Sequence, residues 1–358
     1  MSSSSVYLDD PGDLIAAIPP VLGFTPEQSL VVVVLQESDS LRWTAAIRFD
    51  LGAPARAIAS ATAQICASSD STLVFAVIVD DRLDVLIPRQ AVAGKPPYRS
   101  LIRALARRLA EAGIELGGAW ATQVIESGRP WWSMRGHADH GLLPDPTSSV
   151  LATELTAEGE RTFTSRSELV ALLEVDQVTA DRVGELLPFA QAAARHRAIQ
   201  SARGADPDAY PRQALKRILR LIADVESGSV PTVLQMVQTA IALRDPQVRE
   251  SVLGTAIGAQ ARAAESLWMQ LTRSLPAPDR AEAATLLGYS AYVRGDGTLA
   301  GLALEAALEA DAEHAMAILL ETALHLAMPP QSLRRLAHSG IRAAAALGIE
   351  LDTSPETP

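Results

Sequence analysis

Two short aliphatic runs near the N-terminus constrain the fold of this chain more than any other feature. Residues 30–35 and 73–79 consist almost entirely of branched aliphatic side chains. Runs of this length and composition are typical of strands that are buried on both faces of a sheet. Beyond residue 150 no such run occurs, and apolar residues recur at helical spacing. The sequence therefore predicts an α/β half followed by a helical half.

The elements of the N-terminal half alternate in type. We predict a short helix at 14–18, strands at 30–35 and 41–51, a helix at 53–67, a strand at 73–79, a helix at 97–112 and a strand at 119–125. Pro19 and Pro20 are expected to end the first helix. The first two strands are predicted to be antiparallel, because their connection is too short for a crossover. This order predicts an α/β domain over residues 1–145, with a mixed sheet flanked by helices.

Residues 146–358 are predicted to form an all-α domain after a linker at 137–149. Its helices are expected at 150–157, 167–173, 180–202, 211–226, 231–243, 246–272, 281–294, 298–310, 312–327 and 331–347. Residues 281–314 resemble one tetratricopeptide repeat, with Leu287, Gly288 and Ala300 at positions where two helices pack closely. Ala291 and Ala312 depart from that pattern. Since such arrays need about three repeats, we favour a helical hairpin over a peptide-binding groove.

The charge balance bears on possible partners. The net charge is −11, from 42 acidic and 31 basic residues. This balance argues against general nucleic-acid binding, because such binding depends on phosphate neutralisation by lysine and arginine. Arginine-rich stretches at 103–108 and 212–220 have helical spacing, and we interpret both as solvated helix faces.

Several features suggest a soluble cytoplasmic protein. The chain has one cysteine, Cys66, so an intrachain disulfide is impossible, and this fits a reducing compartment. The first residues lack the charged and apolar regions of a signal peptide. No apolar run approaches the roughly 18 residues of a membrane-spanning helix, so no membrane association is expected.

Adjacent tryptophans mark the junction between the two halves. Arg129, Trp131 and Trp132 could line a pocket, because arginine binds carboxylates or phosphates and tryptophan stacks on planar ligands. The alternative is a structural anchor at a strand. Alternation along a strand would place the two rings on opposite faces, and this favours the anchor.

Three aspartates follow predicted strands, namely Asp50, Asp80 and Asp81. Ligands of open α/β sheets often bind beyond the carboxyl ends of strands. Paired carboxylates could hold a cation or transfer protons there. Aspartate at a strand end is more often a turn residue, and we favour that interpretation.

His137, Asp139 and His140 are the only cluster of metal-type ligands in the sequence. A closed zinc site needs about four ligands, so we favour a polar loop. There is no glycine-rich phosphate loop and no nucleophile motif. We therefore expect no catalytic residues and no cofactor.

Three blocks of sequence resemble a known family. They are residues 20–32, which include Gly23 and Phe24, residues 48–51, and residues 128–133 with the tryptophan pair. Residues 286–330 are similar to the end of the same family, the actinobacterial domain-of-unknown-function family 4192. The resemblance implies no established activity. Members of the family often carry cysteines shortly after the tryptophans, where this chain has histidines, so a site there would be lost or rebuilt.

These observations leave two main functional hypotheses, and a nucleic-acid-associated factor that uses the arginine-rich helix at 99–108 is a third, less favoured one. We favour a non-enzymatic interaction or regulatory protein that binds an unknown protein partner through its helical domain. The alternative is a small-molecule-binding protein or enzyme with a pocket near Trp131 and Trp132.

Overall fold

The chain comprises two compact units. The computed structural model describes residues 10–37, 41–68, 71, 73–83, 98–135, 139–148, 166–204, 206–326 and 328–354. One unit contains Met1–Leu169 and His325–Ala327, and the other contains Val170–Leu324 and Met328–Pro358. The first is built around a mixed sheet and the second is helical, as predicted. The predicted domain boundary after residue 145 stays a prediction.

The described residues up to 148 form six strands, four helices and a 3₁₀ turn. They are α1 (Pro11–Ala16), α2 (Ile18–Leu22), β1 (Ser29–Glu37), β2 (Leu41–Asp50), α3 (Ala55–Ser68), β3 (Leu73–Val79), α4 (Arg99–Glu111), β4 (Glu115–Thr122), β5 (Pro130–Ser133), β6 (His140–Leu142) and the turn Pro146–Ser148.

The strands form one sheet in the order β2-β1-β3-β4-β5-β6. Only β3 and β4 run parallel, and every other neighbouring pair is antiparallel. The parallel pair follows from the connection through α4, because a crossover helix returns the chain to the edge where β3 began. The antiparallel pairing of β1 and β2 confirms the prediction from their short connection.

One face of the sheet packs against α3 and α4. Its core includes Val32, Ala76 and Ala121 from the strands, and Ile58 and Leu105 from the helices. The side chain of Cys66 lies in the same core and is fully buried. Burial raises the pKa of this thiol to about 11. Cys66 is therefore a packing residue, as predicted from its apolar neighbours.

The opposite face is associated with α1 and α2, where the structure corrects the sequence. Pro19 and Pro20 do not stop a helix but lie in the first turn of α2. Amides of a first turn have no partner within the helix, so proline is tolerated there. Gly23 ends α2 with φ of 76°, a left-handed conformation that favours glycine.

The end of the sheet also departs from the sequence analysis. The last strand was expected at 119–125, but β4 begins earlier, at Glu115. The segment predicted as a linker, 137–149, contributes β6 and the turn Pro146–Ser148. Three residues carry too short a pattern to be recognised as a strand, and β6 forms because β5 offers an unpaired edge.

Ten helices follow residue 165 in the part of the chain that the structure describes. They are α5 (Arg166–Ala171), α6 (Gln177–Arg203), α7 (Ala209–Glu226), α8 (Val233–Leu243), α9 (Pro246–Val252), α10 (Ala261–Ser274), α11 (Asp279–Arg294), α12 (Gly297–Ala310), α13 (Ala315–His325) and α14 (Pro330–Ala346). None of the described helices has the length and apolar character needed to cross a membrane.

The single helix predicted at 246–272 is wrong. The chain instead forms α9, a 3₁₀ turn at Leu253–Ala256 and α10. Gly258 has φ of 101°, and a Cβ there would lie 2.1 Å from the carbonyl oxygen of Asp352. The approach of this distant segment requires glycine and interrupts the helix. The predicted helix at 150–157 lies outside the described residues.

Helices α11 and α12 form the predicted hairpin. A Cβ on Gly288 would lie 2.9 Å from Cγ of Leu304, so the absence of a side chain allows the two helices to approach closely. Gly295 has φ of 104° at the end of α11, and the carboxylate of Asp296 caps α12 by accepting from Leu299 N. The likeness to a tetratricopeptide repeat stays a prediction.

Candidate functional site

Four strand termini meet at one edge of the N-terminal sheet. Ser29 at the start of β1 is in register with Asp50 at the end of β2 and with Val79 at the end of β3. Val79 is in turn in register with Thr122, the last residue of β4. Residues that flank these positions therefore share one edge, which includes the carboxyl ends of the parallel pair, where α/β proteins commonly bind ligands.

A cleft of about 450 Å³ opens at this edge. Binding sites for small molecules usually have volumes of about 300–1,000 Å³. The cleft is lined by Gln28, Asp50, Leu51, Gly52, Arg82 and Tyr98. The backbone joins these segments, since Leu51 N donates to Gln28 O at 3.2 Å and Asp80 N donates to Thr122 O at 3.1 Å.

Backbone strain is concentrated in this cleft. Gln28 has φ of 44° and Tyr98 has φ of 66°. Among the residues that the structure describes, these two are the only ones other than glycine with positive φ. Such conformations are unfavourable for side-chain-bearing residues and cluster at functional sites.

A buried carboxylate organises the polar side chains beside the cleft. Asp80 is 1% exposed, and its Oδ1 accepts from Arg82 Nε at 2.8 Å. Its Oδ2 accepts from Arg82 Nη2 at 3.2 Å and from the Tyr98 hydroxyl. The Tyr98 oxygen also accepts from Arg82 Nη2 at 3.2 Å. Asp80 thus fixes the positions of Arg82 and Tyr98, while the Arg82 side chain remains 59% exposed.

The ionisation states of Asp80 and Tyr98 favour ligand binding over proton transfer. Burial acts to raise the pKa of Asp80, but hydrogen bonds from Arg82 and Tyr98 outweigh it and hold the pKa below its usual range. Burial and the Asp80 carboxylate raise the pKa of Tyr98. At neutral pH the carboxylate is ionised and fully engaged, so it is a poor general base.

The three strand-end aspartates have different environments. Asp80 is buried, whereas Asp50 and Asp81 are exposed. The Asp50 carboxylate pairs with Arg48, whose Nε donates to Ser29 Oγ at 2.7 Å. Asp81 accepts a long hydrogen bond of 3.4 Å from Gln28 Nε2. All three predicted aspartates therefore lie at the edge of the sheet where the cleft opens, but only Asp50 lines the cleft, and a role for them in binding stays a prediction.

The tryptophan pair belongs largely to the interior. Trp131 and Trp132 are in register with Thr122 and Ala121, so they point to opposite faces of the sheet, as strand alternation predicts. Trp131 is 4% exposed, and a Cβ on Gly141 would lie 2.8 Å from its Nε1. Trp132 packs partly against the core on the α3–α4 face. Neither environment resembles an open stacking surface.

The remaining candidates of the β5–β6 region are not brought together into a site. Arg129 is half-exposed and pairs with Glu126 at 3.2 Å. The Asp139 and His140 side chains are exposed, and Asp139 O accepts from Ser133 N at 2.7 Å. His137 lies outside the described residues. Within the part of the chain that the structure describes, no group of three or more His, Cys, Asp or Glu could hold a metal.

Sequence reasoning missed Gln28, Arg82 and Tyr98. Arg82 follows Asp80 and Asp81 directly in the sequence, and an arginine beside such a turn is only a weak indication of a binding site. Tyr98 lies 18 residues beyond Asp80, so no local pattern links the two. The strain at Gln28 has no signature in the sequence. The predicted carboxylates at strand ends were the only available indicator.

The helical unit offers a different kind of surface on α6. Its buried side consists of Ala180, Val183, Leu187 and Ala194. On the opposite side Phe189 is 76% exposed and Val178 is 71% exposed, and they lie about three turns apart. We refer to the side of α6 that carries Val178, Leu186, Phe189 and Ile199 as the α6 outer face.

Comparison with known proteins identifies one similarity, to a protein family. No curated protein and no solved structure matches the chain. The family model for a domain of unknown function, DUF4192, matches residues 11–331, which is most of the chain. The match extends across the sheet, the cleft and the helices up to the start of α14. The chain therefore belongs to the DUF4192 family.

Proposed function

We propose that the protein binds a small polar molecule in the cleft at the carboxyl edge of its N-terminal sheet. The coincidence of the two strained residues, Gln28 and Tyr98, in the same cleft carries the proposal. Strain of this kind persists where surrounding interactions enforce it, and it is common at ligand sites. This hypothesis moves the pocket away from Trp131 and Trp132, which are largely enclosed by other residues.

The lining indicates which ligands fit. Arg82 presents a half-exposed guanidinium whose orientation is fixed by Asp80, and a fixed guanidinium suits a carboxylate or phosphate group. Asp50 and the Gln28 side-chain amide add an acceptor and further hydrogen-bonding capacity. The preferred ligand is therefore a small molecule with an acidic group and at least one donor, such as an amino acid.

A thermal-shift screen of the full-length protein tests this site. Amino acids, nucleotides, neutral sugars and divalent cations would each be added at saturating concentration. A ligand that binds only the folded state should raise the free energy of unfolding by about 2 kcal/mol or more. We expect a shift with an acidic ligand class and none with neutral sugars.

Substitutions of single arginines test where the ligand that causes the thermal shift binds. Arg82→Lys keeps the charge but loses the forked geometry, so it should reduce the shift, and Arg82→Ala should abolish it. Arg103→Ala on the exposed side of α4 is the matched control and should leave the shift intact. Arg129→Ala tests the pocket near the tryptophans. Loss of the shift in Arg129→Ala, with Arg82→Ala unaffected, would refute the cleft, as would the absence of any shift.

A second candidate function is supported by the α6 outer face. In this second hypothesis, the protein is a non-enzymatic interaction protein whose helical unit binds a protein partner. A helix with apolar residues on both sides is normally covered on both. Arg182 and Arg203 lie seven and fourteen residues from Phe189 and thus close to the same face. The partner that fits is an amphipathic helix with acidic residues beside its apolar stripe.

Affinity capture with the tagged full-length protein tests the second candidate. The wild-type protein should retain a specific partner that Phe189→Glu loses. Val230→Glu is the matched control, because Val230 is also 76% exposed but lies outside α6. The captured protein would then be purified and titrated, and binding should weaken with salt. Equal retention by all three proteins would exclude the α6 outer face, and concentration-dependent self-association would identify the partner as a second copy.

We further propose a cytoplasmic location. The single cysteine, buried in the core, is compatible with a reducing compartment. Fractionation of cells that produce the protein at its natural level would test this, and recovery with the envelope would contradict it.

A further inference from the structure

A groove between α7 and α8 contains an unpaired arginine. Arg217 is half-buried in this groove, which has a volume of about 200 Å³. Its guanidinium makes no hydrogen bond or ion pair within the part of the chain that the structure describes. A partly buried charge is ordinarily compensated by a partner, because removing it from water is costly. The groove therefore contains a cation without its counter-charge.

The neighbours of Arg217 increase this positive character. Burial lowers the pKa of Arg217 because desolvation disfavours its charged form, and repulsion from the nearby Arg197 lowers it further, while Tyr210 acts in the opposite direction. Arg220 also lines the groove, and Asp224 is the only acidic residue among the lining side chains. No ion pair among the described residues joins Asp224 to either arginine.

Neutral donors face the same groove. The Gln235 side-chain oxygen accepts from Thr232 N at 2.8 Å, which leaves its NH₂ group as a donor without a partner among the described residues. Gln238 lines the groove as well, and its amide has no hydrogen bond in the described part of the chain. Guanidinium and amide donors around one small space are a typical arrangement for binding an oxyanion.

We propose that the groove between α7 and α8 is a binding site for a small oxyanion, a carboxylate or phosphate group, held by the guanidinium of Arg217. The volume suits a single anionic group better than a large ligand. The site is independent of the cleft in the N-terminal unit, since the two share no residue. Arg217 contacts the anion directly, and the side-chain amides of Gln235 and Gln238 complete its hydrogen bonds.

Calorimetric titration of the full-length protein with inorganic phosphate and with malonate tests the site. Binding of phosphate alone identifies a phosphate site, binding of malonate alone identifies a carboxylate site, and binding of both identifies a general oxyanion site. Arg217→Gln should weaken binding at least tenfold. Arg335→Gln on the exposed side of α14 is the matched control and should bind as the wild type does.

Melting temperatures distinguish binding from a purely structural role. Without added anion, Arg217→Gln should melt at or above the temperature of the wild type, because it removes repulsion with Arg197. Phosphate or malonate should then raise the melting temperature of the wild type and leave that of Arg217→Gln unchanged. The proposal is overturned if neither anion binds, if Arg217→Gln binds as tightly as the wild type, or if the anion response requires Arg82 instead.

Discussion

At the residue scale, Asp80 shows how a turn residue can also organise a cleft. Its carboxylate accepts from Arg82 N at 3.2 Å, the usual behaviour of aspartate after a strand. The same group also positions the Arg82 and Tyr98 side chains. The sequence predicted the turn correctly, but it could not reveal the second role, because Tyr98 lies 18 residues away in the chain.

The low pKa of Asp80 predicts a stability that depends on pH. A carboxyl group whose folded pKa lies below its unfolded value of about 3.9 stabilises the folded state above that value. This stabilisation is lost as the pH falls through the folded pKa. At pH 7, Asp80→Asn should therefore lower the free energy of unfolding by about 1–3 kcal/mol. The difference from the wild type should shrink below about pH 4.

Urea unfolding at several pH values, followed by tryptophan fluorescence, measures this effect. Four of the five tryptophans belong to the N-terminal unit. Asp81→Asn is the matched control, because this exposed neighbour accepts only the long hydrogen bond from Gln28, and little change is expected. An effect of Asp80→Asn that persists undiminished at pH 3 would contradict the electrostatic explanation.

The packing of Trp131 predicts how a substitution at the neighbouring Gly141 changes the free energy of unfolding. A Cβ on Gly141 would lie 2.8 Å from Nε1 and 3.0 Å from Cε2 of Trp131, so Gly141→Ala should destabilise by roughly 1–3 kcal/mol. Gly52→Ala is the control, because no atom lies within 4 Å of its Cβ position. Its effect should stay within about 0.5 kcal/mol. Equal stability of the two variants in urea unfolding would show that Trp131 does not pack on β6.

At the element scale, the sequence correctly predicted those helices and strands whose structure is determined by the local pattern of apolar residues. The aliphatic runs became β1 and β3, and the amphipathic arginine-rich segment became α4. Errors occurred where a distant segment decides the local structure. The helix expected over 246–272 is interrupted because residues near 352 approach Gly258. No periodicity within the helix itself could have indicated that contact.

Substitution by alanine should have opposite effects on stability at two helical glycines, Gly288 in the α11–α12 hairpin and Gly184 in α6. Gly288→Ala would place a Cβ 2.9 Å from Cγ of Leu304, so it should destabilise the helical unit by about 1–3 kcal/mol. Gly184→Ala within α6 meets only Pro276, at 3.8 Å. It should stabilise by about 0.5–1 kcal/mol, because alanine favours the helix. Denaturation followed by circular dichroism at 222 nm measures both, and stabilisation by Gly288→Ala would contradict the close approach.

At the scale of the whole molecule, composition and the order of elements were sufficient to predict the architecture. An α/β half and a helical half follow from the change in apolar pattern, and the sequence blocks indicated the DUF4192 family. The candidate cleft was only partly predictable. Asp50 lies at a strand end that the sequence identifies, but the strained Gln28 and Tyr98, 70 residues apart in the chain, meet only in the folded unit.

The buried position of Cys66 has a practical consequence. Since the chain contains no second cysteine, a thiol-reactive probe can modify it at only one place, inside the core of the N-terminal unit. A thiol with a pKa of about 11 is almost entirely protonated at pH 8, and the reactive species is the thiolate. Modification should therefore proceed through transiently opened molecules, at least about a thousandfold more slowly than in urea.

Such labelling, quantified by mass spectrometry over time, would report the opening of the N-terminal unit, in whose core Cys66 lies. A ligand that occupies the cleft should slow it further, whereas an anion bound only beside Arg217 should not. Labelling as fast as in the unfolded chain would show that Cys66 is accessible in solution. The protein thus carries its own site-specific probe, which can assign a binding event to a unit without an engineered label.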